Sequence, residues 1–335
     1  MSRPLLLITL LIVAALLFLL CLLTGAADIP VSAVADILTG GTGGSDARRF
    51  IVMQSRLPAA VAALLCGGTL AVCGLMLQAV FRNPLADPSI FGISSGAGLG
   101  AAVVLLCGGG ATAITGSVLG CSALVAAAFV GAMAVTVLIV VVAARVHNGI
   151  AVVVVGIMVG YLAASATTIM SFFATQQGVR SLVVWGMGDF TGVAITVLPL
   201  LAAIAIVALV AAAMLVKPLN AALLGEHYAA ALGVNTAQLR VTALLIAGVI
   251  AAVTTAFCGP IAFIGMAAPH IARLMLRTED FRWLMPTAAL TGCCVALACH
   301  AASTALHNGS ALPINAVTPL VGVPVVVYII VKKGR

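Results

Sequence analysis

Residues 88–144 read PSIFGISSGAGLGAAVVLLCGGGATAITGSVLGCSALVAAAFVGAMAVTVLIVVVAA, 57 residues with no Asp, Glu, Lys or Arg. A helix rises about 1.5 Å per residue, so about 20 residues cross the roughly 30 Å hydrocarbon core of a bilayer. The stretch therefore predicts two membrane spans, divided where Gly108-Gly109-Gly110 interrupts the apolar run.

The rest of the chain reads the same way. Of its 335 residues 64% are hydrophobic and 7% charged, against roughly 25% charged in an ordinary soluble domain. That balance excludes a soluble fold. The 34 Gly and 13 Pro show no short period, which excludes collagen, and no charge block points to disorder or coiled coil. Further charge-free intervals predict spans at 4–27, 57–81, 150–174, 193–216, 239–257 and 261–276, with Gly259-Pro260 breaking the last two apart. The interval 283–331 is 49 residues without Asp, Glu, Lys or Arg, and His307 to Ser310 followed by Pro313 divides it into two spans. The first span is too long for a signal-peptide core and reads as a retained helix. The expected fold is an all-α integral membrane protein of ten transmembrane helices, a single transmembrane domain over residues 1–335.

Ten spans place both termini on one side. With that side inside, the inner loops and ends carry Arg3, Arg82, Arg145, Lys217, Arg240, Arg273, Arg277, Arg282, Lys332, Lys333 and Arg335, and the outer loops carry Arg48, Arg49, Arg56 and Arg180. Basic residues accumulate on cytoplasmic loops, so both termini are expected in the cytoplasm. The net charge of +7 then reports membrane topology and calls for no nucleic-acid partner. Nine cysteines lie mostly inside apolar runs without a C-x-x-C pair, which fits buried thiols better than a zinc site or a disulfide framework. Cys107 and Cys121 flank one loop and are close enough in sequence to meet.

The chemistry is defined by what the chain lacks. No Lys is followed by Ser or Thr, so there is no P-loop and no ATP hydrolysis by that route. No predicted span carries a central carboxylate or basic group of the kind that proton- and voltage-coupled transporters use, which argues against a secondary transporter or channel. No acid, His or Cys set clusters on facing loops, which argues against a membrane-embedded enzyme. No resident cofactor is expected. Energy for any transport must come from another subunit.

Segment 225–233 is the most informative inner loop. Gly225 and Gly233 bracket a short helix that starts with Glu226, where the positive end of the helix dipole favours an acid. Such a helix suits docking into a cleft on another protein, or lies on the bilayer surface. Gly92, Gly96 and Gly100 repeat every four residues, a stripe that favours close helix packing. Before it, Arg82-Asn83-Pro84-Leu85-Ala86-Asp87-Pro88 imposes a fixed bend, readable as a gate or as an ordinary loop.

In order along the chain, Arg56-Leu57-Pro58, Gly74 through Gln78, Arg82 through Pro88 and Gly92 through Ala97 form one set of strings. Leu224-Gly225-Glu226 with Leu232-Gly233, Gly259-Pro260-Ile261 through Gly265, Pro269 through Arg273, Leu312-Pro313-Ile314, Val317-Thr318 and Gly322-Val323-Pro324 complete it. From about residue 50 to the end the sequence resembles the FecCD-type permease subunits of ATP-driven importers for iron siderophores, haem and cobalamin. The set is specific for the family and says little about the substrate.

The resemblance implies a ten-helix subunit of two inverted five-helix halves, working as a homodimer in the bacterial inner membrane with the pathway along the dimer axis. It implies two ATP-binding subunits beneath and a periplasmic or lipid-anchored substrate-binding protein above, and an iron chelate, siderophore or haem, is the expected cargo, with cobalamin the alternative. Leu224, Gly225, Glu226, His227, Ala230, Leu232 and Gly233 then correspond to the ATPase coupling segment, and Asn83, Pro84, Leu85, Asn148 and Gly149 to the inner gate. The fifth span resembles the helix that lines the path, with Met158, Tyr161, Ser165, Thr168 and Phe172 on one face, which is equally readable as helix packing. Arg56 and Arg180 are the expected docking residues for the binding protein. The sequence departs from the family pattern at Ala59, where a second Arg is common, and at His300 and Thr304, where an Asp and an Arg are common. His300 and His307 lie seven residues apart, near one helix face. They are either polar positions at the membrane boundary or, for haem, imidazole ligands of iron.

Overall fold

The computed structural model describes residues 2–25, 27–41, 45–107, 118–146, 148–305 and 312–333, and among these no β-strand occurs. Fifteen α-helices are present among the described residues. In chain order they are α1 (Arg3–Leu23), α2 (Val31–Leu38), α3 (Asp46–Ile51), α4 (Leu57–Val80), α5 (Ile93–Cys107), α6 (Val118–Arg145), α7 (Gly149–Phe173) and α8 (Gln176–Gly186). They continue with α9 (Leu198–Met214), α10 (Val216–Leu223), α11 (Glu226–Ala231), α12 (Thr236–Cys258), α13 (Ile264–Leu276), α14 (Phe281–Ala305) and α15 (Ile314–Lys333). Val52–Arg56 forms a π-helical turn that carries α3 into α4 without a break.

Seven of these stretches, those built on α1, α4, α6, α7, α9, α12 and α14, are long and apolar enough to cross a membrane. The other three intervals read as spans hold α5, α13 and α15. Two of them, α5 and α13, start late for local reasons. Residues 88–92, expected within a span, form turns that end at Gly92, whose φ is +73°. Gly259 and Phe263, also with positive φ, hold the break between α12 and α13, where Gly259-Pro260 predicted one. Phe263 is a bulky residue in the left-handed region, so packing there holds a backbone strain.

Helix α4 is the axis of the molecule. Its residues are apolar on every face and nearly all are buried, as expected for a helix surrounded by others. It packs against α14, α12, α13, α9 and α1. Backbones meet at glycine on two sides: a Cβ on Gly74 would sit 1.8 Å from the Gly265 carbonyl oxygen of α13, and one on Gly67 2.4 Å from the Gly292 carbonyl oxygen of α14. Helices α1 and α14 run parallel, with the Arg3 guanidinium 5.9 Å over the Trp283 ring at one end and the Thr24 and Thr304 hydroxyls 3.4 Å apart at the other. Helices α5, α6 and α7 pack on one another, and α12 joins them to α4. The glycine stripe is packing surface. A Cβ at Gly96 or Gly100 would strike the backbone of Gly131 or Ala127 on α6, and one at Gly92 the backbone of Gly156 and Gly160 on α7.

A second apolar cluster gathers Met76, Leu219, Leu239, Ala272, Phe281 and Leu284 at the Arg3 end, and it seats the short helix α10. Of the cysteines with described side chains, all are free thiols, six buried and Cys294 half-buried, and Cys66 and Cys258 lie with sulfurs 3.7 Å apart. The Cys107 and Cys121 side chains, the Gly108 to Gly110 turn and His307 lie outside the described residues.

Candidate functional site

At the Arg3 end of the bundle, helices α10 and α11 form a projecting elbow. Gly225, with φ of +117°, and Gly233, with φ of +81°, adopt backbone geometry that disfavours side chains, and they set the limits of α11. The elbow is anchored from one side. Leu219 is fully buried, and the Asn220 amide donates to Asp280 Oδ1 at 2.8 Å while its oxygen accepts the Phe281 backbone N–H at 2.8 Å. The backbone N–H of Arg282 and the Asn220 amide hold the Asp280 carboxyl below its ordinary range. Ala229 is buried, while Leu224, Tyr228 and Leu232 are 64%, 68% and 63% exposed. His227, Ala230 and Gly233 are exposed beside them. The Glu226 backbone begins α11, and its side chain lies outside the described residues. Apolar side chains held outward on a glycine-bounded elbow form a surface that water covers poorly.

Next to it lies the bend after α4. Asn83 Oδ1 accepts the Leu85 N–H at 3.0 Å, and Asp87 Oδ1 accepts the Ser89 N–H at 2.9 Å and its hydroxyl at 2.6 Å. Two side-chain-capped turns thus replace helix between the two prolines. Burial pushes the Asp87 carboxyl above its ordinary value, and the Ser89 bonds partly offset this. Helix α13 braces the bend. A His270 ring nitrogen lies 2.8 Å from the Pro84 carbonyl oxygen, and Arg273 donates to Gln78 Oε1 at 2.5 Å and to Glu279 Oε2 at 3.0 Å. Asn148 caps α7 by accepting the Ile150 N–H at 2.9 Å. A Cβ on Gly149 would meet the Phe81 ring at 3.4 Å, so the bend and the start of α7 are neighbours through Phe81. The five residues read as a gate are thereby brought to one end of the molecule. Gln78, His270 and Arg273 received no role from the sequence, although polar side chains inside apolar helices were the available signal.

On α7 every member of the stripe Met158, Tyr161, Ser165, Thr168 and Phe172 is exposed. The opposite face, Val152, Gly156, Gly160 and Ala163, is buried, and α7 packs on α5 and α6. The stripe is a bare face of mixed chemistry on the surface of the single chain.

The opposite end holds the two expected docking arginines in unlike settings. Arg56 is 6% exposed, and its guanidinium donates to the carbonyls of Leu22 and Leu23 at 2.9 Å and to that of Ala27. Those carbonyls close the C-terminus of α1, and Gly25 leaves the space the guanidinium fills. Arg180, on α8, is exposed. His300 is buried, with its ring edge-on to Phe190 at 5.8 Å. Asn315 ties three elements together, donating to the Pro260 carbonyl at 2.6 Å and accepting the Ala262 N–H at 3.1 Å while its own N–H donates to the Met187 carbonyl. No group of three or more His, Cys, Asp or Glu able to hold a metal occurs among the described residues.

Residues 10–332 match the FecCD transport family. The hemin transport system permease protein HmuU of Yersinia pestis is 28% identical over 319 residues, covering 95% of this chain and 94% of that protein. The vitamin B12 import system permease protein BtuC of Pectobacterium atrosepticum is 32% identical, covering 86% of this chain and 84% of that protein. BtuC of Salmonella typhi is 33% identical, covering 85% of each. The fold is shared with a metal-chelate type ABC transporter solved in an inward-facing conformation, with a TM-score of 0.83, 24% identity and coverage of 99% of this chain and 100% of that one.

Proposed function

The chain belongs to the FecCD transport family, and from that membership we propose that it is the transmembrane permease subunit of an ATP-driven importer in the bacterial inner membrane. The proposed cargo is an iron chelate, siderophore or haem. The proposed assembly is a homodimer with two ATP-binding subunits and a periplasmic or lipid-anchored binding protein. Each chain would contribute ten spans in two inverted halves, with both termini in the cytoplasm.

The observation that carries this reading is the unbroken family match from residue 10 to residue 332. The geometry supports it in detail. The outward-held Leu224, Tyr228 and Leu232 suit a cleft on an ATPase, which the chain needs because it has no P-loop. The bare α7 face suits a wall shared by two copies around a pathway. Arg180, with Arg48 and Arg49, offers cations for an acidic docking partner more readily than the buried Arg56.

Cobalamin is the second reading, favoured by the B12 permeases among the relatives. Uptake by proteoliposomes holding the chain with its cognate ATPase and binding protein decides between them. ATP-dependent accumulation of labelled ferric siderophore or haem is expected. Accumulation of cobalamin alone transfers the assignment to the second reading, and uptake without ATP or the ATPase refutes the importer.

A further inference from the structure

A cavity of about 440 Å³ lies between α5, α6, α8, the 189–192 turn and the C-terminus of α12. We propose that it is a binding site for one phospholipid with a zwitterionic, amine-bearing headgroup. The cavity holds none of the α7 stripe residues assigned to the pathway, so it is separate from that face. Its volume lies within the roughly 300–1,000 Å³ of small-molecule sites, enough for a headgroup and the first part of its chains.

The chemistry of the walls selects the occupant. One part of the wall, from α5, α6 and α12, is apolar, with Leu105, Leu124, Val125, Ala256 and Phe257, and this suits acyl chain. The other, on α8, presents Gln177, Arg180, Ser181 and Trp185. Arg180 is exposed and has no hydrogen-bond or ion-pair partner among the described residues, so its guanidinium is available for a phosphate. Asp189 also lines the cavity, its carboxylate fixed by the Thr191 N–H at 2.8 Å and by the Thr191 hydroxyl. A phosphate alone would meet that carboxylate as a like charge. A headgroup carrying phosphate and ammonium pairs with both. The Trp185 indole, apolar with one N–H donor, is the side chain that favours the membrane boundary where such a headgroup lies. The proposal requires that the chain sit in a bilayer, does not depend on what it transports, and takes Arg180 for the lipid, leaving Arg48 and Arg49 as the exposed docking cations.

Gly192 supplies the test. It lines the cavity, and a Cβ there meets nothing within 4 Å, so Gly192→Leu starts in open space and adds apolar bulk at the cavity wall. The chain has two tryptophans, and Trp283→Phe leaves Trp185 as sole reporter. The full chain in detergent is titrated with phosphatidylethanolamine brominated on its acyl chains, and separately with brominated phosphatidylglycerol. Saturable quenching is expected, with half-saturation for the ethanolamine lipid at least about tenfold lower, the factor that corresponds to 1.4 kcal/mol. Gly192→Leu should remove the saturable component, and Asp189→Asn should abolish the preference while preserving folding, checked by monodisperse elution. Quenching that rises linearly and ignores Gly192→Leu identifies bulk lipid and overturns the site. Saturable quenching with equal affinity for both lipids overturns the headgroup assignment.

Discussion

Nη1 of Arg56 lies 2.9 Å from the carbonyl oxygen of Leu22, so a cation at the start of α4 closes the end of α1. Hydrogen bonds to a charged group contribute about 1.5–3 kcal/mol, and buried acceptors left without partners cost a similar amount. Arg56→Gln is therefore expected to destabilise the chain by about 2 kcal/mol, read as a lowered unfolding temperature in detergent. An unchanged temperature together with weakened binding of the substrate-binding protein would return Arg56 to the docking surface.

The α5 and α6 backbones touch at glycine, so a single methyl group tests the contact. In Gly100→Ala the new Cβ would lie 2.0 Å from the Ala127 carbonyl oxygen, whereas at Gly98 it meets nothing within 4 Å. Overpacking of this kind costs about 1–3 kcal/mol, while Gly to Ala in an open helix position gains about 0.5–1 kcal/mol. Gly100→Ala should lower the unfolding temperature and Gly98→Ala should hold or raise it. Equal behaviour of the two would mean that the helices separate there in the membrane.

The apolar intervals were legible because lipid imposes one rule, and charge-free length locates each helix within a few residues. Gly225 and Gly233 were legible for a similar reason, since glycine marks the positive φ that bounds a short helix. Helices α2, α3, α8 and α10 were not read, because their charged or polar residues look like loop when spans are sought by charge. Thr175, which accepts the Gly178 N–H, was the available start signal for α8. The Arg56 contacts were illegible because they join residues some thirty positions apart, and nothing local in Arg56-Leu57-Pro58 distinguishes a cap on another helix from a surface cation.

Asp87 gives stability a pH dependence of defined sign. Its native pKa is raised by burial, so the folded chain holds the proton to higher pH than the unfolded chain. The resulting contribution is complete below the ordinary value of 3.8 and disappears as pH rises through the raised native value. Its neighbours include the Cys73 thiol and, through hydrogen bonds, Ser89. Asp87→Asn keeps the oxygen acceptor and removes the ionisation. The unfolding temperature of the variant relative to wild type should therefore be higher at about pH 7.5 than at about pH 4.5. The same offset at both pH values would show that Asp87 titrates alike in the folded and unfolded chain, and would remove the burial effect.

Orientation is open to a chemical test. In a cysteine-free background, Arg48→Cys should react with an impermeant maleimide added to intact cells, and Lys217→Cys should react only after the inner face is exposed. The reverse pattern would invert the topology proposed from the basic bias.

The Asn220 amide is where the elbow that suits an ATPase meets the helix that runs through the bundle. It joins α10 to the first turn of α14 by two hydrogen bonds of 2.8 Å, and α14 packs along α4 and α1 to the opposite end. The bonds are partly buried and contribute about 1 kcal/mol each, too little to decide folding but enough to orient a short helix. Asn220→Leu preserves bulk beside Leu219 and removes both bonds. It should leave expression and ATPase association near wild type while lowering transport per ATP hydrolysed about five- to tenfold, the change expected when about 1 kcal/mol of coupling is lost. Asn220→Asp, which retains the acceptor for Phe281 but faces the Asp280 carboxylate, should show the same defect at neutral pH and recover part of it as acidification protonates the pair. Loss of ATPase association in both variants would place Asn220 in the docking surface, and full transport in both would mean that motion reaches α14 by another route.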